Sequence, residues 1–439
     1  MYVIIAKHEE GTKEASNMDY LDIDLSLGDE DISIQQNAHK FAEEVMRPAA
    51  KKLEQLTPEQ QIADDSPLWD FLKKAYQLGY HKIDFPEELG GMGLTPLQRA
   101  IVYEELGWGS TGLAIQLGAG AAHALGGMIS MNGALLEEFT IPFCNCTDGS
   151  IRGCWAVTEP DHGSDTLGFG EPFFDSPEIH PNCGARRDGK EWVINGTKSA
   201  WISGAAVATH CLVQLQIDPT RGFAGIGACI VPLDLPGVSR GKPHEMLGNR
   251  ELNQCELYFD DVRIPKHYMF LDNADYYFPF GKQILAGFNM MVACNATGLA
   301  RAAFEEAFSY CHQRVKWGQL LKEHYSVKQK IFEMFSRVET CRAISRRVVQ
   351  LNGNIFPGFC EYSIAAKTMA TEMAFQNAHD AISIFGASGL SKEYLTEKLF
   401  RDARENLICD GTTETLRKVG GHFLFETYPR PRDSMQLMR

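Results

Sequence analysis

The sequence has no cysteine motif, no long apolar run and no surplus of basic residues, and each absence argues against a class of protein. The 12 cysteines are scattered and form no Cys-x-x-Cys pair, so we expect free thiols and no metal site. No run approaches the ~18 apolar residues of a membrane span. The formal charge of −15 at pH 7 argues against a nucleic-acid surface. We therefore expect a cytoplasmic protein, although local basic groups and helix N-termini still permit an anionic ligand.

The pattern of apolar residues predicts three regions in the order helical, β and helical. The spacing of Phe41, Val45, Ala49 and Leu53 places them on one face of a helix. The Ala- and Gly-rich stretch at 114–131 predicts a closely packed buried helix. The N-terminal residues have too short an apolar core for a signal peptide. A second methionine at position 18 suggests an alternative start, which would leave residues 1–17 as a disordered lead-in.

Short apolar runs separated by turn residues predict a β region after about residue 151. Asn195-Gly196 is a typical hairpin signal and follows the apolar run at 192–194. Residues 168–189 contain three prolines and little periodicity, so we expect an insertion loop there. We predict an α+β protein with a lead-in at 1–32, an α-helical domain at 33–150, a β-barrel or sandwich domain at 151–272 and a helical bundle, of four helices, at 273–439.

Two segments of the β region carry residue types that suit a flavin ring. The first is TEPDHGSD at 158–165, and the second is NGTKSAWIS at 195–203. Hydroxyl and backbone N–H groups can bond the ring edge, glycine allows close approach, and an indole can lie against a flat ring face. Taken singly, the first segment is equally consistent with a polar turn, and Trp201 with a buried aromatic residue.

A third segment near the C-terminus carries the candidate for acid–base chemistry. Asp410 directly precedes Gly411 and Thr412, where a new helix is expected to begin. A carboxylate held there can take a proton from a bound substrate. The alternative is that Asp410 is the N-cap of that helix, because Thr413 and Glu414 follow it in a capping-like arrangement.

Together and in this order, the segments resemble the acyl-CoA dehydrogenase family, and the resemblance extends over about residues 30–425. It implies an FAD flavoprotein that is a homotetramer and passes electrons to an electron-transfer flavoprotein. It also implies a role for each matched residue. The cofactor-binding residues would be Thr158, Trp201, Ser203, Arg314, Trp317, Gly386 and Thr412. The acyl-CoA channel would include Ser164, Asp410 and Gly411, and Asp410 would be the base.

The chain departs from the family pattern at several of these positions. The usual base is a glutamate, whereas Asp410 is one methylene shorter. Some relatives place their base at the position of Phe288, which cannot serve, and an arginine at the position of Asn289. The glycine-rich turn at 383–389 has Ser383 in place of glutamine and an alanine in place of a glycine, which weakens the match at Gly386. An arginine at 314 is also consistent with a solvated helix end.

The function predicted on this basis is α,β-dehydrogenation of an acyl-CoA thioester, with Asp410 as the proton acceptor. Because the shorter carboxylate is retracted by ~1.5 Å, we expect an alicyclic or branched acyl group, such as a cyclohexane- or cyclohexene-carboxyl thioester. One alternative is a flavoprotein of the same fold that performs a non-standard desaturation or elimination. Another is a non-catalytic relative that binds flavin or CoA.

Overall fold

The structure is a computed structural model that describes residues 27–355 and 358–428. The lead-in expected at 1–17 lies outside the described residues. Helices and strands follow the predicted order: helices, one main sheet, then helices again. The expected fold class is confirmed, whereas the domain boundaries at 33, 151 and 273 stay predictions.

The N-terminal helices come before the first strand. They are α1 (Asp29–Phe41), α2 (Arg47–Leu53), α3 (Pro58–Gln61), α4 (Pro67–Gln77), α5 (Pro96–Gly109), α6 (Thr111–Gly120), α7 (Ala122–Ser130), α8 (Gly133–Leu135) and α9 (Ile141–Asn145). A π-helical turn joins α1 to α2 without a break in direction. By length and composition, Thr111–Ser130 is apolar enough to cross a membrane, but 83% of its most apolar window is buried inside the protein. This agrees with the buried helix expected there.

The middle region forms an eight-stranded sheet. Its strands are β1 (Gly153–Ala156), β2 (Gly184–Asp188), β3 (Glu191–Ser203), β4 (His210–Gln216), β5 (Ile226–Pro232), β6 (Val238–Arg240), β7 (Gln254–Pro265) and β8 (Met269–Leu271). The order across the sheet is β6-β7-β3-β2-β4-β5-β8, and β1 pairs in parallel with β4. The sheet has a buried core of its own, centred on residues such as Ile194, Val213 and Leu257.

The hairpin predicted at Asn195-Gly196 is wrong. Strand β3 runs straight through these residues, and its register against β7 shifts between Ile194 and Gly196. The actual hairpin joins β2 to β3, so β2 occupies the last part of the stretch at 168–189 that was expected to be a loop. Gly196 has φ +132°, and a Cβ there would lie 2.5 Å from the Cα of Cys183. Glycine is therefore required by a close backbone approach inside the sheet.

The C-terminal region is a bundle of long helices. They are α10 (Tyr277–Cys311), α11 (Tyr325–Asn354), α12 (Cys360–Phe385), α13 (Thr396–Asn406) and α14 (Thr413–Thr427), with a small hairpin of β9 (Val315–Lys316) and β10 (Gln319–Leu320) after α10. Helix α10 packs against α5 so closely that a Cβ on Gly298 would lie 2.0 Å from the carbonyl oxygen of Glu104. The N-terminal and C-terminal helices thus share one core, and the sheet docks beside it.

Candidate active site

Asp410 lies in the short turn between α13 and α14, in a backbone conformation that aspartate adopts infrequently. Its φ is +50°, and Gly411 follows with φ +99°. A methyl group added to Gly411 would lie 2.9 Å from Leu167 Cδ1 and 2.9 Å from Leu416 Cδ2. A tight left-handed turn without room for a second side chain therefore presents the carboxylate.

Asp410 is not the N-cap of α14. The cap is Thr412, whose hydroxyl accepts a hydrogen bond of 3.3 Å from the backbone N–H of Thr415. The same hydroxyl donates to Thr415 Oγ1 over 3.1 Å. The alternative explanation for an acidic residue at position 410 is thereby removed, and its carboxylate is free of a capping role.

Burial raises the pKa of the Asp410 carboxyl group to about 6, and the nearby Lys367 opposes that shift. Burial disfavours the charged form, whereas a cation favours it. A carboxyl group whose pKa lies near neutral is suited to accept a proton in a reaction and to release it afterwards.

Side chains of two helices bond the carbonyl oxygens of the turn. Asn289 on α10 donates through Nδ2 to the carbonyl oxygen of Asp410 over 3.2 Å. Lys367 on α12 donates through Nζ to the carbonyl oxygen of Gly411 over 2.8 Å. Phe288, beside Asn289, stacks on Trp155 of β1 with ring centroids 4.5 Å apart. The pattern of the sequence gave no role to Lys367.

The two segments proposed for the flavin meet through the backbone. The N–H of Ser199 donates to the carbonyl oxygen of Thr158 over 2.9 Å. Beneath them, Lys198 donates to Glu159 Oε1 over 2.7 Å and to the carbonyl oxygen of Val157 over 2.9 Å. Both charged side chains are buried. This ion pair fixes the spacing of the two segments. In the sequence its only sign is that Glu159 lies in the first motif and Lys198 in the second.

Trp201 is exposed, which removes the interpretation of a buried aromatic residue. Although Ala200 and Ile202 on either side are buried, 59% of Trp201 is exposed. Its indole lies 6.0 Å, centroid to centroid, from the imidazole of His244. Ser203 and Thr158 are partly exposed close to the same strand. A flat apolar face beside hydroxyl groups fits the ring of a flavin, so these residues are compatible with FAD.

The turn that carries Ser164 connects this surface to Asp410. Asp165 accepts hydrogen bonds from His162 Nδ1 and from the N–H of Gly163, each over 2.7 Å. The 3₁₀ turn Ser164–Leu167 then follows, and Leu167 packs against Gly411. The structure therefore places the end of the Ser164 turn against Gly411, the residue after Asp410. His162, to which the sequence pattern assigned no role, holds this turn through its hydrogen bond with Asp165.

Arg314, Trp317 and Gly386 form a second group at the end of the bundle. Arg314 is exposed, and 86% of Trp317 is exposed in the turn between β9 and β10, where its φ is +51°. Gly386 ends α12 with φ +64°. Tyr310 stacks on Phe385 with ring centroids 3.9 Å apart, which places the hairpin beside the Gly386 turn. The predicted phosphate contacts of these residues stay predictions.

The arrangement defines a class of protein: two helical regions around an inserted sheet, with a carboxylate turn that packs against the segment following the TEPDHGSD motif. Family models for the acyl-CoA dehydrogenase N-terminal, middle and C-terminal domains match residues 28–134, 154–262 and 282–424. The chain belongs to the acyl-CoA dehydrogenase family, a family of FAD-dependent oxidoreductases.

Relatives in curated proteins and solved structures extend over nearly the whole chain. The short-chain specific acyl-CoA dehydrogenase of Rattus norvegicus is 32% identical over 89% of each chain. The probable acyl-CoA dehydrogenase YngJ of Bacillus subtilis is 30% identical over 90% of this chain and 98% of its own. The butyryl-CoA dehydrogenase structure from Megasphaera elsdenii is 27% identical, covers 92% of this chain and all (100%) of its own, and has a TM-score of 0.80.

Proposed function

We propose that this protein is an acyl-CoA dehydrogenase in which Asp410 takes the α-proton of a compact alicyclic or branched acyl thioester. The observation that carries the proposal is the contact of Leu167 with Gly411, which joins the flavin segment to the turn of Asp410. This contact supports a shared site for the proposed base and the proposed flavin surface. Two of the relatives named above, the short-chain specific acyl-CoA dehydrogenase and the butyryl-CoA dehydrogenase, carry a short acyl group in their names and support a small acyl group here.

In the proposed reaction the Asp410 carboxylate removes the α-proton, which the thioester makes acidic. FAD, when bound, supplies the acceptor for the β-hydrogen and its electron pair. The backbone N–H of Asp410 is one donor to the thioester oxygen as negative charge develops there. Desolvation by substrate strengthens the basicity of the carboxylate, because its charged form is already disfavoured by burial.

A cavity along α10, lined in part by the neighbour of Asn289, supports a compact acyl group. It has a volume of about 220 Å³ and is lined by Ile284, Phe288 and Met291 of α10 and by Leu125 and Met128 of α7. Phe288 forms one wall and adjoins Asn289, which bonds the Asp410 backbone. The lining also contains the polar side chains Asp84, Arg99 and Asn352. A small volume suits a compact acyl group better than a long chain, and a shorter base requires a substrate that approaches it closely.

The test is anaerobic titration of the yellow protein with a panel of linear, branched and cyclic acyl-CoA thioesters, followed by flavin absorbance. We expect cyclic or branched thioesters to bleach the flavin fastest. We expect Asp410→Asn to slow bleaching at least ~100-fold, whereas Asp188→Asn, on the exposed hairpin, leaves it unchanged. Faster turnover of butyryl- or octanoyl-CoA than of every cyclic thioester would remove the proposed substrate class.

Two alternatives give different results in the same experiment. A non-standard desaturation predicts bleaching, but with the product double bond at another carbon, which NMR and mass spectrometry of the thioester identify. A non-catalytic relative predicts no bleaching with any thioester and no effect of Asp410→Asn. Electron transfer to an electron-transfer flavoprotein and a homotetramer belong to this proposal on the basis of the family resemblance. A cytoplasmic location belongs to it on the basis of the scattered cysteines.

A further inference from the structure

Both carbonyl oxygens of the Asp410–Gly411 turn are bonded by side chains that the interior of the protein holds in place. Asn289 and Lys367 are fully buried, on α10 and α12. Their donors lie 3.2 Å and 2.8 Å from the carbonyl oxygens of Asp410 and Gly411. Since α10 and α12 pack on each other through the core of the bundle, the two donors form a rigid support under the turn.

The turn needs such a support because its conformation is intrinsically unfavourable. Asp410 has φ +50°, a region in which non-glycine residues are uncommon. Residues in such conformations persist when the surroundings over-determine them. The amide of Asn289 also has a fixed orientation. Only its NH₂ end can donate to the Asp410 carbonyl, and its Oδ1 is buried without a donor among the described residues.

Lys367 adds a charge to this support. A buried ammonium group is expensive unless it is hydrogen-bonded and faces negative charge. The ionisable groups around it are Cys409, Asp410 and Glu414 from the turn and α14, and Glu372 from its own helix. Glu372 is bonded to Arg417 over 2.7 Å at the surface. Of these groups, Asp410 is the carboxylate of the turn itself, and Lys367 favours its ionisation.

We propose that Asn289 and Lys367 are positioning residues that hold the Asp410 turn, and that the Lys367 ammonium group also keeps Asp410 ionised between turnovers. The inference rests on the proposed function, because it takes Asp410 to be the base. Burial of both groups supports the electrostatic part: it raises the pKa of Asp410, lowers that of Lys367, and each charge offsets the shift of the other.

The experiment measures the ionisation of Asp410 without relying on activity. Infrared difference spectra of the full-length FAD enzyme labelled with ¹³C-aspartate are recorded against pH, and the Asp410 band is identified by its loss in Asp410→Asn. We expect Lys367→Met to move the midpoint of this band upward by about one pH unit. Lys367→Arg, which keeps the cation, restores the midpoint, and Lys367→Gln, which keeps a donor without charge, does not.

The pH profile of flavin reduction provides the second readout. We expect its acidic limb to move upward together with the infrared midpoint in Lys367→Met, so that the rate at the wild-type midpoint falls about fivefold. Asn289→Leu lowers kcat about ten- to a hundredfold with a smaller change in KM and leaves the midpoint in place. Lys330→Met, which removes another lysine of the bundle that bonds a carboxylate, Asp380, is the control and moves neither midpoint.

The outcomes separate this inference from the proposed function. If Asp410→Asn keeps full activity while Lys367→Met still moves the infrared midpoint, the proposed base is wrong and the electrostatic coupling stands. If Asp410→Asn is inactive while Lys367→Met leaves both the midpoint and the acidic limb unchanged, the role of Lys367 is overturned. An unchanged kcat in Asn289→Leu overturns the role of Asn289.

Discussion

Asp410 combines two properties that a purely structural aspartate does not need: a left-handed backbone and a carboxyl pKa raised to about 6. The capping role that the sequence also permitted belongs to Thr412. The residue therefore destabilises the folded protein in its ionised form, as expected of the base proposed above.

The dependence of stability on pH tests this point. The folded pKa of about 6 lies above the ordinary value of 3.8, so the folded state binds the proton more tightly than the unfolded state does. The stability contributed by this proton is present below pH ~4 and is lost as the pH rises to ~6. As the pH rises through that window, we expect the free energy of unfolding of Asp410→Asn to increase by about 1–2 kcal/mol relative to that of the wild type. This range is smaller than the full pKa shift implies, because Asp410 is partly exposed to solvent. Urea unfolding at several pH values measures it, and a constant difference contradicts it.

The length of the side chain at position 410 gives a second prediction. Asp410→Glu extends the carboxylate by ~1.5 Å toward the space that a linear acyl chain would use. We expect the ratio of kcat/KM for butyryl-CoA over a cyclohexane-carboxyl thioester to rise at least ~10-fold, because near-attack geometry depends on such distances. An unchanged ratio shows that the backbone, and not the missing methylene, sets the position of the base.

The Glu159–Lys198 ion pair holds together the two segments proposed for the flavin. Glu159 also accepts hydrogen bonds from the backbone N–H groups of Asn182 and Cys183. Removal of one partner leaves a buried charge unpaired, so we expect Lys198→Met to lower the free energy of unfolding by about 3–5 kcal/mol. Denaturant unfolding of the apoprotein measures this loss, and Arg263→Met, from an exposed ion pair, provides the control with a change below about 1 kcal/mol.

At the scale of elements, the insertion between Leu167 and β2 connects the sheet to the helical bundle. Phe169 lies 5.4 Å from Phe278 of α10 and 5.7 Å from Phe423 of α14, centroid to centroid. Phe174 stacks on Phe223, and the carbonyl oxygen of Phe174 accepts a hydrogen bond of 2.8 Å from the N–H of Phe223. The insertion thus begins directly after the turn of Ser164 and holds that turn against α14.

We therefore expect Phe169→Ala to loosen the Ser164 turn while the rest of the fold persists. Loss of this buried ring costs about 3–5 kcal/mol of stability. We expect KM for the thioester to rise more than kcat falls, because Phe169 supports the turn of Ser164, a proposed substrate contact. Steady-state kinetics with calorimetry checks both. Phe425→Ala on α14, where 87% of the side chain is exposed, is the matched control. Equal effects of the two variants contradict the role given to the insertion.

The elements show where sequence patterns succeed and where they fail. Helical periodicity identified the helices of both terminal regions, because a 3.6-residue repeat reports directly on one buried face. The hairpin predicted at Asn195-Gly196 failed, because the dipeptide that favours a two-residue turn also permits a bulge within a strand. Here the bulge lies where the backbone of Cys183 comes close. Lys367 and Glu159 could not be assigned, because their partners are far away in the sequence and meet them only in the fold.

At the scale of the whole molecule, the candidate site residues divide into two groups. Thr158, Ser164, Trp201, Ser203 and Asp410 belong to the junction of sheet and bundle. Arg314, Trp317 and Gly386 belong to the far end of the bundle. In this second group a large exposed indole lies in a left-handed turn, three residues after an exposed arginine. The family resemblance implies that this group contacts the FAD of a neighbouring subunit.

Complementation between subunits tests that arrangement. Arg314→Met removes the proposed phosphate contact, and Asp410→Asn removes the proposed base, so each homo-oligomer is expected to be inactive. In a mixed oligomer, an Asp410→Asn subunit supplies its intact Arg314 to the FAD of an Arg314→Met neighbour, whose Asp410 is intact. We expect co-expressed, doubly tagged oligomers to reduce flavin well above either variant alone. The absence of any recovery in verified mixed oligomers would assign Arg314 to its own subunit, because only then does each subunit lack one required group.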